Sequence, residues 1–194
     1  MAREKEFDEM EALQAASRVF CEKGYEGTSL QDLEKATGLN RTSIYNAFGN
    51  KRSIFNKILV QFVECGRQRW QALLAESDTA REGIENLLNT VVDMHFEPEP
   101  QNCLITLSLM EKSQHNGTSQ ELIEQAIHAF KKLIQKRLEA GKKDGEFSRH
   151  FDAGAAAAAI TSIFSGFMVM GKANFPKATL RKAVQASLAL LEAG

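Results

Sequence analysis

The sequence predicts an all-α protein of about nine helices, in which a small N-terminal three-helix unit precedes a larger helical domain. Three observations carry this. The 194 residues include only 3 prolines and 13 glycines, while Ala, Leu, Glu, Lys and Gln are abundant, so local propensity favours helix. Apolar side chains recur at three- and four-residue spacing along most of the chain. Glycines, prolines and capping residues fall between those stretches, and no segment makes a convincing strand.

Residues 3–23 read as the first helix, with Phe7, Met10, Leu13, Ala16 and Phe20 on one stripe and Gly24 as its stop. Thr28 is a suitable N-cap for a short second helix, with Gln31 three residues on completing a capping box and Leu30, Leu33 and Ala36 facing inward. Thr37-Gly38-Leu39 forms a turn. Asn40 then caps a third helix, 41–47, whose inward residues are Ile44 and Phe48. After Gly49-Asn50 a long helix runs from about 51 to 76, with Ile54, Phe55, Ile58, Leu59, Phe62 and Val63 toward the core. Further helices are predicted near 80–95, 102–114, 118–142, 152–172 and 177–192, separated by Pro98 and Pro100, Asn116-Gly117, Gly141 to Ser148, and Pro176. The domain boundary is placed at residue 50, giving 1–50 and 51–194.

Hydrophobic residues make up 43% and charged residues 25%, ordinary values for a soluble globular chain. Met1 to Met10 is charged and lacks the apolar core of a secretory signal. Gly154 to Gly171 is Ala-rich but interrupted by Thr161, Ser162 and Ser165, and reads as a buried helix; no membrane partner and a cytoplasmic location are expected. Cys21, Cys65 and Cys103 are odd in number and lack metal-like spacing, so they read as free thiols, with Cys21 and Cys65 as packing residues. His95, His115, His128 and His150 also lack metal spacing, and neither a metal nor a cofactor is expected. Nothing supplies an ordered nucleophile, base and orienting group, so no catalytic residue is assigned and an enzyme is not expected.

The net charge of −1 announces no nucleic-acid binder, but its distribution does. Between Glu34 and Glu64 there is no acidic residue, and that window holds Lys35, Arg41, Lys51, Arg52 and Lys57. Residues 28–48, TSLQDLEKATGLNRTSIYNAF, have the pattern of a helix-turn-helix. Its second helix would enter the major groove while the first braces on the backbone. Helical spacing sets Arg41, Thr42, Tyr45 and Asn46 opposite Ile44 and Phe48. Arg41 suits guanine, Asn46 suits adenine, and Thr42 and Ser43 suit phosphate or a thymine methyl. Thr28 and Ser29 at the start of the motif, and Lys51 at the start of the next helix, complete the expected contacts to a double-stranded operator.

The run from Ala15 to Phe55 resembles the DNA-binding domain of the tetracycline-repressor family. The resemblance rests on F-x-x-x-G-Y-x-x-T-S from Phe20, I-Y-x-x-F at Ile44 to Phe48, and G-N-K at Gly49 to Lys51. It implies a helical dimer with a divergent C-terminal ligand domain, release of DNA on ligand binding, Thr42, Ser43 and Tyr45 at the operator, and Tyr45 and Lys51 on phosphates. Ala47 departs from the family, many of whose members carry histidine there.

Asn102-Cys103-Leu104 and a late Gly-Phe-x-x-x-x-Lys resemble one subgroup of these repressors, some of which respond to electrophiles or oxidants through a cysteine at the place of Cys103, with a lysine at the place of Lys172 nearby. A neighbouring ammonium would favour the reactive thiolate. The alternative is a cysteine that merely packs. Phe96, Leu107, Met110, Phe130, Phe164, Phe167 and Met168 could line a pocket for an apolar inducer or serve only as core. Residues 152–172 and 177–192 carry small residues and an apolar stripe suited to a homodimeric four-helix bundle. The basic run Lys131, Lys132, Lys136, Arg137, Lys142, Lys143 reads as a solvated face. The function expected is a repressor released from a pseudo-palindromic operator by a small molecule or electrophile. An activator of the same fold and a helical protein-interaction module without DNA binding remain alternatives.

Overall fold

The computed structural model describes residues 7–97, 104–111 and 117–192, with the side chain of Met110 outside that set. Among the described residues there are nine α-helices and no strand. They are α1 (Glu9–Gly27), α2 (Leu30–Thr37), α3 (Arg41–Phe48), α4 (Lys51–Glu76), α5 (Ala80–Met94), α6 (Leu104–Met110), α7 (Thr118–Lys143), α8 (Ala153–Lys172) and α9 (Lys177–Leu188), the last followed by a 3-10 turn, Ala189–Leu191. The chain divides into two compact units. The first holds Met1–Val63 with Cys103–Ile123, and the second holds Glu64–Asn102 with Glu124–Gly194.

In the first unit, α1 begins later than its apolar stripe suggests. Asp8 is its N-cap, accepting from the amides of Met10 at 2.7 Å and Glu11 at 3.3 Å. Met10 is 54% exposed and leaves the stripe, whereas Leu13, Ala16 and Phe20 are buried. Gly24 breaks the helix where the sequence places its stop, with a φ of 75° and ψ of 177°, and a further short turn runs on to Gly27. The cap of α2 is also displaced by one residue. Thr28 is buried, with its hydroxyl donating to the Gly24 carbonyl at 2.7 Å, so Ser29 takes the N-cap and Asp32, not Gln31, closes the capping box. Ala36 is exposed rather than inward, and Leu33 alone of the three expected residues is fully buried. α3 keeps its expected cap, the Asn40 carboxamide accepting from the Ser43 amide at 2.9 Å. The core joins Phe20 and Phe55 edge-on at 5.3 Å, and Leu33, Ile44, Ile58 and Leu59 are buried in the same unit. Each such side chain contributes about 1.5–3 kcal/mol of burial. Phe62 and Val63 on α4 are only half-buried.

In the second unit, α5 buries Ile84, Leu87, Leu88, Val91 and Val92 completely. Thr79 caps it, and the Glu146 carboxylate adds a second cap by accepting from the Ala80 amide at 2.8 Å. Arg137 belongs to the structure rather than to a solvated basic face. Its guanidinium donates to the carbonyls of Leu74 at 3.1 Å and Ser77 at 3.0 Å, closing the end of α4. Lys142 likewise donates to the Phe151 carbonyl at 2.7 Å. Cys65, expected to pack, is exposed on α4. α8 is long and apolar enough to cross a membrane by length and composition, yet only 33% of its most apolar stretch is buried, so it is not the fully buried helix its sequence suggests. Ala155, Ala158, Ser162 and Val169 lie exposed along it. α9 ends at Leu188, short of the expected residue 192, and tightens into its 3-10 turn.

Candidate nucleic-acid interface

α3 is short enough that two buried residues orient it. Ile44 is 1% and Phe48 5% exposed, and they pin one side of the helix to the core. The opposite side presents Arg41, Thr42, Tyr45 and Asn46, all exposed; Ser43 is half-buried. Arg41 and Tyr45 are neighbours on that face, the guanidinium carbon 5.7 Å from the ring centre. The face therefore combines a forked donor, an amide and two hydroxyls, a set able to read base edges and grip phosphates.

Two cations of the acid-free window gather on Tyr25. The Lys51 ammonium lies 4.4 Å over the Tyr25 ring, with the Arg52 guanidinium 5.8 Å from the same ring. Lys57 pairs with Glu9 at 3.3 Å and lies 5.4 Å over the Phe48 ring. Ser29 is exposed but serves as a cap, its hydroxyl donating to Asp32 at 2.7 Å. Lys23 also pairs with Asp32; this hydrogen bond, then those from Ser29, hold the Asp32 carboxyl well below the usual carboxylate range. Thr28 stands apart from the other expected contacts, because its side chain is 1% exposed.

Tyr25 was not singled out by its sequence position. It is buried between Phe20 and Phe55, with ring centres 6.3 Å and 4.9 Å away, and it forms the platform under Lys51. Its signal in the sequence is the Gly24-Tyr25 pair near the end of α1.

The residues expected to sense a ligand are distributed as follows. Leu107 is half-buried on α6 in the first unit. Cys103 and the Met110 side chain lie outside the described residues. In the second unit, Phe130 on α7 and Phe164 on α8 approach to 4.7 Å, and Trp70 on α4 meets Phe164 edge-on at 5.4 Å. Trp70 is a further member that spacing could not reveal. Phe167 and Met168 are buried, and Lys172 is exposed in the last turn of α8. The His95 imidazole hydrogen-bonds the Phe167 backbone, and burial pushes its pKa down. An open polar groove of about 570 Å³ in the same unit is lined by Glu76, Asn86, Asn89, Thr90, Asp93 and Arg181 among others, and by none of the expected residues. Among the described residues no group of three or more His, Cys, Asp or Glu could hold a metal ion.

A capped two-helix unit with a pinned inner side and a polar, cationic outer face defines a helix-turn-helix DNA-binding regulator. Residues 12–58 match the bacterial regulatory proteins of the tetR family, and residues 80–187 match the tetracyclin repressor-like C-terminal domain. The chain belongs to the TetR family. It is 31% identical over 149 residues to the uncharacterized HTH-type transcriptional regulator YezE of Bacillus subtilis strain 168, covering 76% of this chain and 77% of that one. The HTH-type transcriptional repressor ComR of Escherichia coli K12 is 24% identical over 185 residues, covering 94% and 87%. Among solved structures, a cysteine-substituted form of the TetR family regulator CifR, complexed with 26-bp double-strand operator DNA, superposes with a TM-score of 0.85 at 28% identity, covering 96% of this chain and 98% of that one.

Proposed function

We propose that this protein is a homodimeric repressor that grips a pseudo-palindromic operator with α3 and releases it when a small molecule or reactive electrophile acts on its C-terminal domain. The observation that carries the reading is the outward face of α3, with Arg41, Thr42, Tyr45 and Asn46 exposed over a buried Ile44 and Phe48. Ser43 and Lys51 join as phosphate contacts, with the exposed Ser29 at the start of α2 beside them. Thr28 acts through the turn that sets Ser29. Residues 1–50 form the DNA-binding domain in this reading, and 51–194 the ligand and dimerisation domain. The repressor names carried by relatives such as ComR, and the operator complex of CifR, favour repression over activation.

The dimer forms through α8 and α9. The support is the run of small residues left uncovered along α8, which allows close helix approach to a second copy. Two recognition helices about 34–36 Å apart would then meet successive major grooves. The inducer, apolar or aromatic, engages Phe130, Phe164, Phe167 and Met168, with Lys172 contributing. Cys103 is the candidate for covalent sensing. Because α4 is one continuous helix, a disturbance of the ligand domain can tilt it and alter the spacing of the two α3 helices; both half-sites must be engaged together for tight binding.

Selection of bound duplexes from a random library tests this. Recovered sequences should contain inverted half-sites with a fixed centre-to-centre spacing near 10 base pairs or its multiple, on the order of one DNA turn. Electrophile treatment should release the wild-type protein and spare Cys103→Ser if sensing is covalent. Recovery of sequences without inverted symmetry would contradict the dimeric reading.

A further inference from the structure

Glu111 directly follows α6, yet its carboxylate reaches the turn at the end of α1. One oxygen accepts from the Tyr25 amide at 2.8 Å, and the other from the Glu26 amide at 3.3 Å, across 86 and 85 residues of sequence. These two amides directly follow the Gly24 kink. Gly24 is needed there twice over. Its φ is positive, and a Cβ at that position would overlap the Glu111 carboxylate. The bond places a charged acceptor on two donors, the stronger class of hydrogen bond.

What this turn carries is the platform of the DNA contact. Tyr25 is held by Glu111 through its backbone and by Phe20 and Phe55 through its ring, and the Lys51 ammonium lies over that ring. The same turn delivers Thr28, whose hydroxyl returns to the Gly24 carbonyl, and then Ser29, the cap of α2. We infer that Glu111 is a positioning residue for DNA binding: its carboxylate fixes the Gly24–Glu26 turn, and through Tyr25 it sets Lys51 for a phosphate. Operator affinity thereby depends on a residue outside the helix-turn-helix segment. The inference rests on the reading that Lys51 contacts DNA.

The test uses full-length protein and a duplex selected by the wild type from a random library, with Glu111→Gln, Lys51→Ala and the double variant measured by fluorescence anisotropy across a salt series. Glu111→Gln should weaken binding roughly three- to tenfold. The slope of log affinity against log salt should fall by about 0.9 for each protomer bound, the loss of one phosphate contact. In the Lys51→Ala background it should cost little more, since both changes act on one contact. Wild-type affinity and slope in Glu111→Gln, or losses that simply add, would overturn the inference while leaving the DNA-binding reading intact. A wild type that selects no duplex overturns both. If Glu111→Gln fails to fold, amide exchange in the wild type decides: slow exchange at Tyr25 and Glu26 supports the clamp, and exchange as fast as an open loop refutes it.

Discussion

Gly171 on α8 packs against the His95 imidazole at the end of α5 so closely that a Cβ at Gly171 would penetrate the ring. The ring cannot swing aside freely, because it is tied to the Phe167 backbone. Two effects of Gly171→Ala oppose each other. Alanine gains up to about 1 kcal/mol of helix propensity, while overpacking a fixed neighbour costs about 1–3 kcal/mol. The clash should win, and urea unfolding should show a net loss of about 1–2 kcal/mol. A midpoint equal to or above the wild type would contradict the contact.

The same histidine gives stability a pH dependence. Burial, the larger cause, lowers its pKa below the ordinary 6.5, although the bond to Phe167 works the other way. The unfolded chain therefore takes up a proton at higher pH than the folded one. Stability from this group is complete above pH 6.5 and falls as acid is added through that value toward the depressed folded pKa. Thermal melts between pH 8 and 5 should show Tm dropping more steeply for the wild type than for His95→Gln. Parallel curves would contradict it.

α5 and α9 are joined at Asp93, which accepts two hydrogen bonds from Arg181 at 2.7 Å and one ion pair from Lys177 at 2.8 Å. Burial raises the Asp93 pKa, but the hydrogen bonds from Lys177 and Arg181 outweigh it, and the net shift is downward. The three side chains are 39–47% exposed, so solvent screening limits the gain. Asp93→Asn should cost about 0.5–1 kcal/mol at low salt, and the difference should shrink near 1 M salt. An undiminished difference at high salt would show that the pair acts by packing instead.

Much of this was legible in the sequence because it depends on local chemistry. The Asn40 cap, the Gly38 turn and the apolar pair Ile44 and Phe48 involve residues within one or two turns of each other, and α3 forms as they require. Misreadings arose where two local choices were nearly equal or where a partner came from far away. Thr28 and Ser29 are both good N-caps, and only the burial of Thr28 against Gly24 selects Ser29. Gly24 breaks the helix as read, but the turn that follows it donates a hydrogen bond to the distant Glu111, which no local pattern reveals. Arg137 looked like part of a charged surface until its carbonyl partners on the end of α4 were known. Cys65 followed apolar neighbours, but its position on the circumference of α4 exposes it. Of the DNA-facing set, the α3 residues could be read from helical period alone, whereas the Tyr25 platform depends on tertiary packing.

Trp70 is the only tryptophan, and its contacts with Phe130 and Phe164 make it a built-in reporter of the aromatic cluster. An apolar aromatic inducer entering there should change its emission saturably and at the concentration that releases DNA. Phe164→Ala should shift the saturation to at least about tenfold higher ligand, the loss of one aromatic contact and its burial. Release of DNA with no change in Trp70 emission would place the inducer elsewhere.

The most direct measurement of the central claim is binding of the purified protein to the DNA immediately upstream of its own gene, at several salt concentrations, beside Tyr45→Ala. The account requires sequence-selective binding that weakens steeply with salt and is strongly reduced in Tyr45→Ala. Selective binding unaffected by Tyr45→Ala would show that α3 does not read this DNA. Binding that weakens with salt but favours no sequence would contradict an operator at this locus.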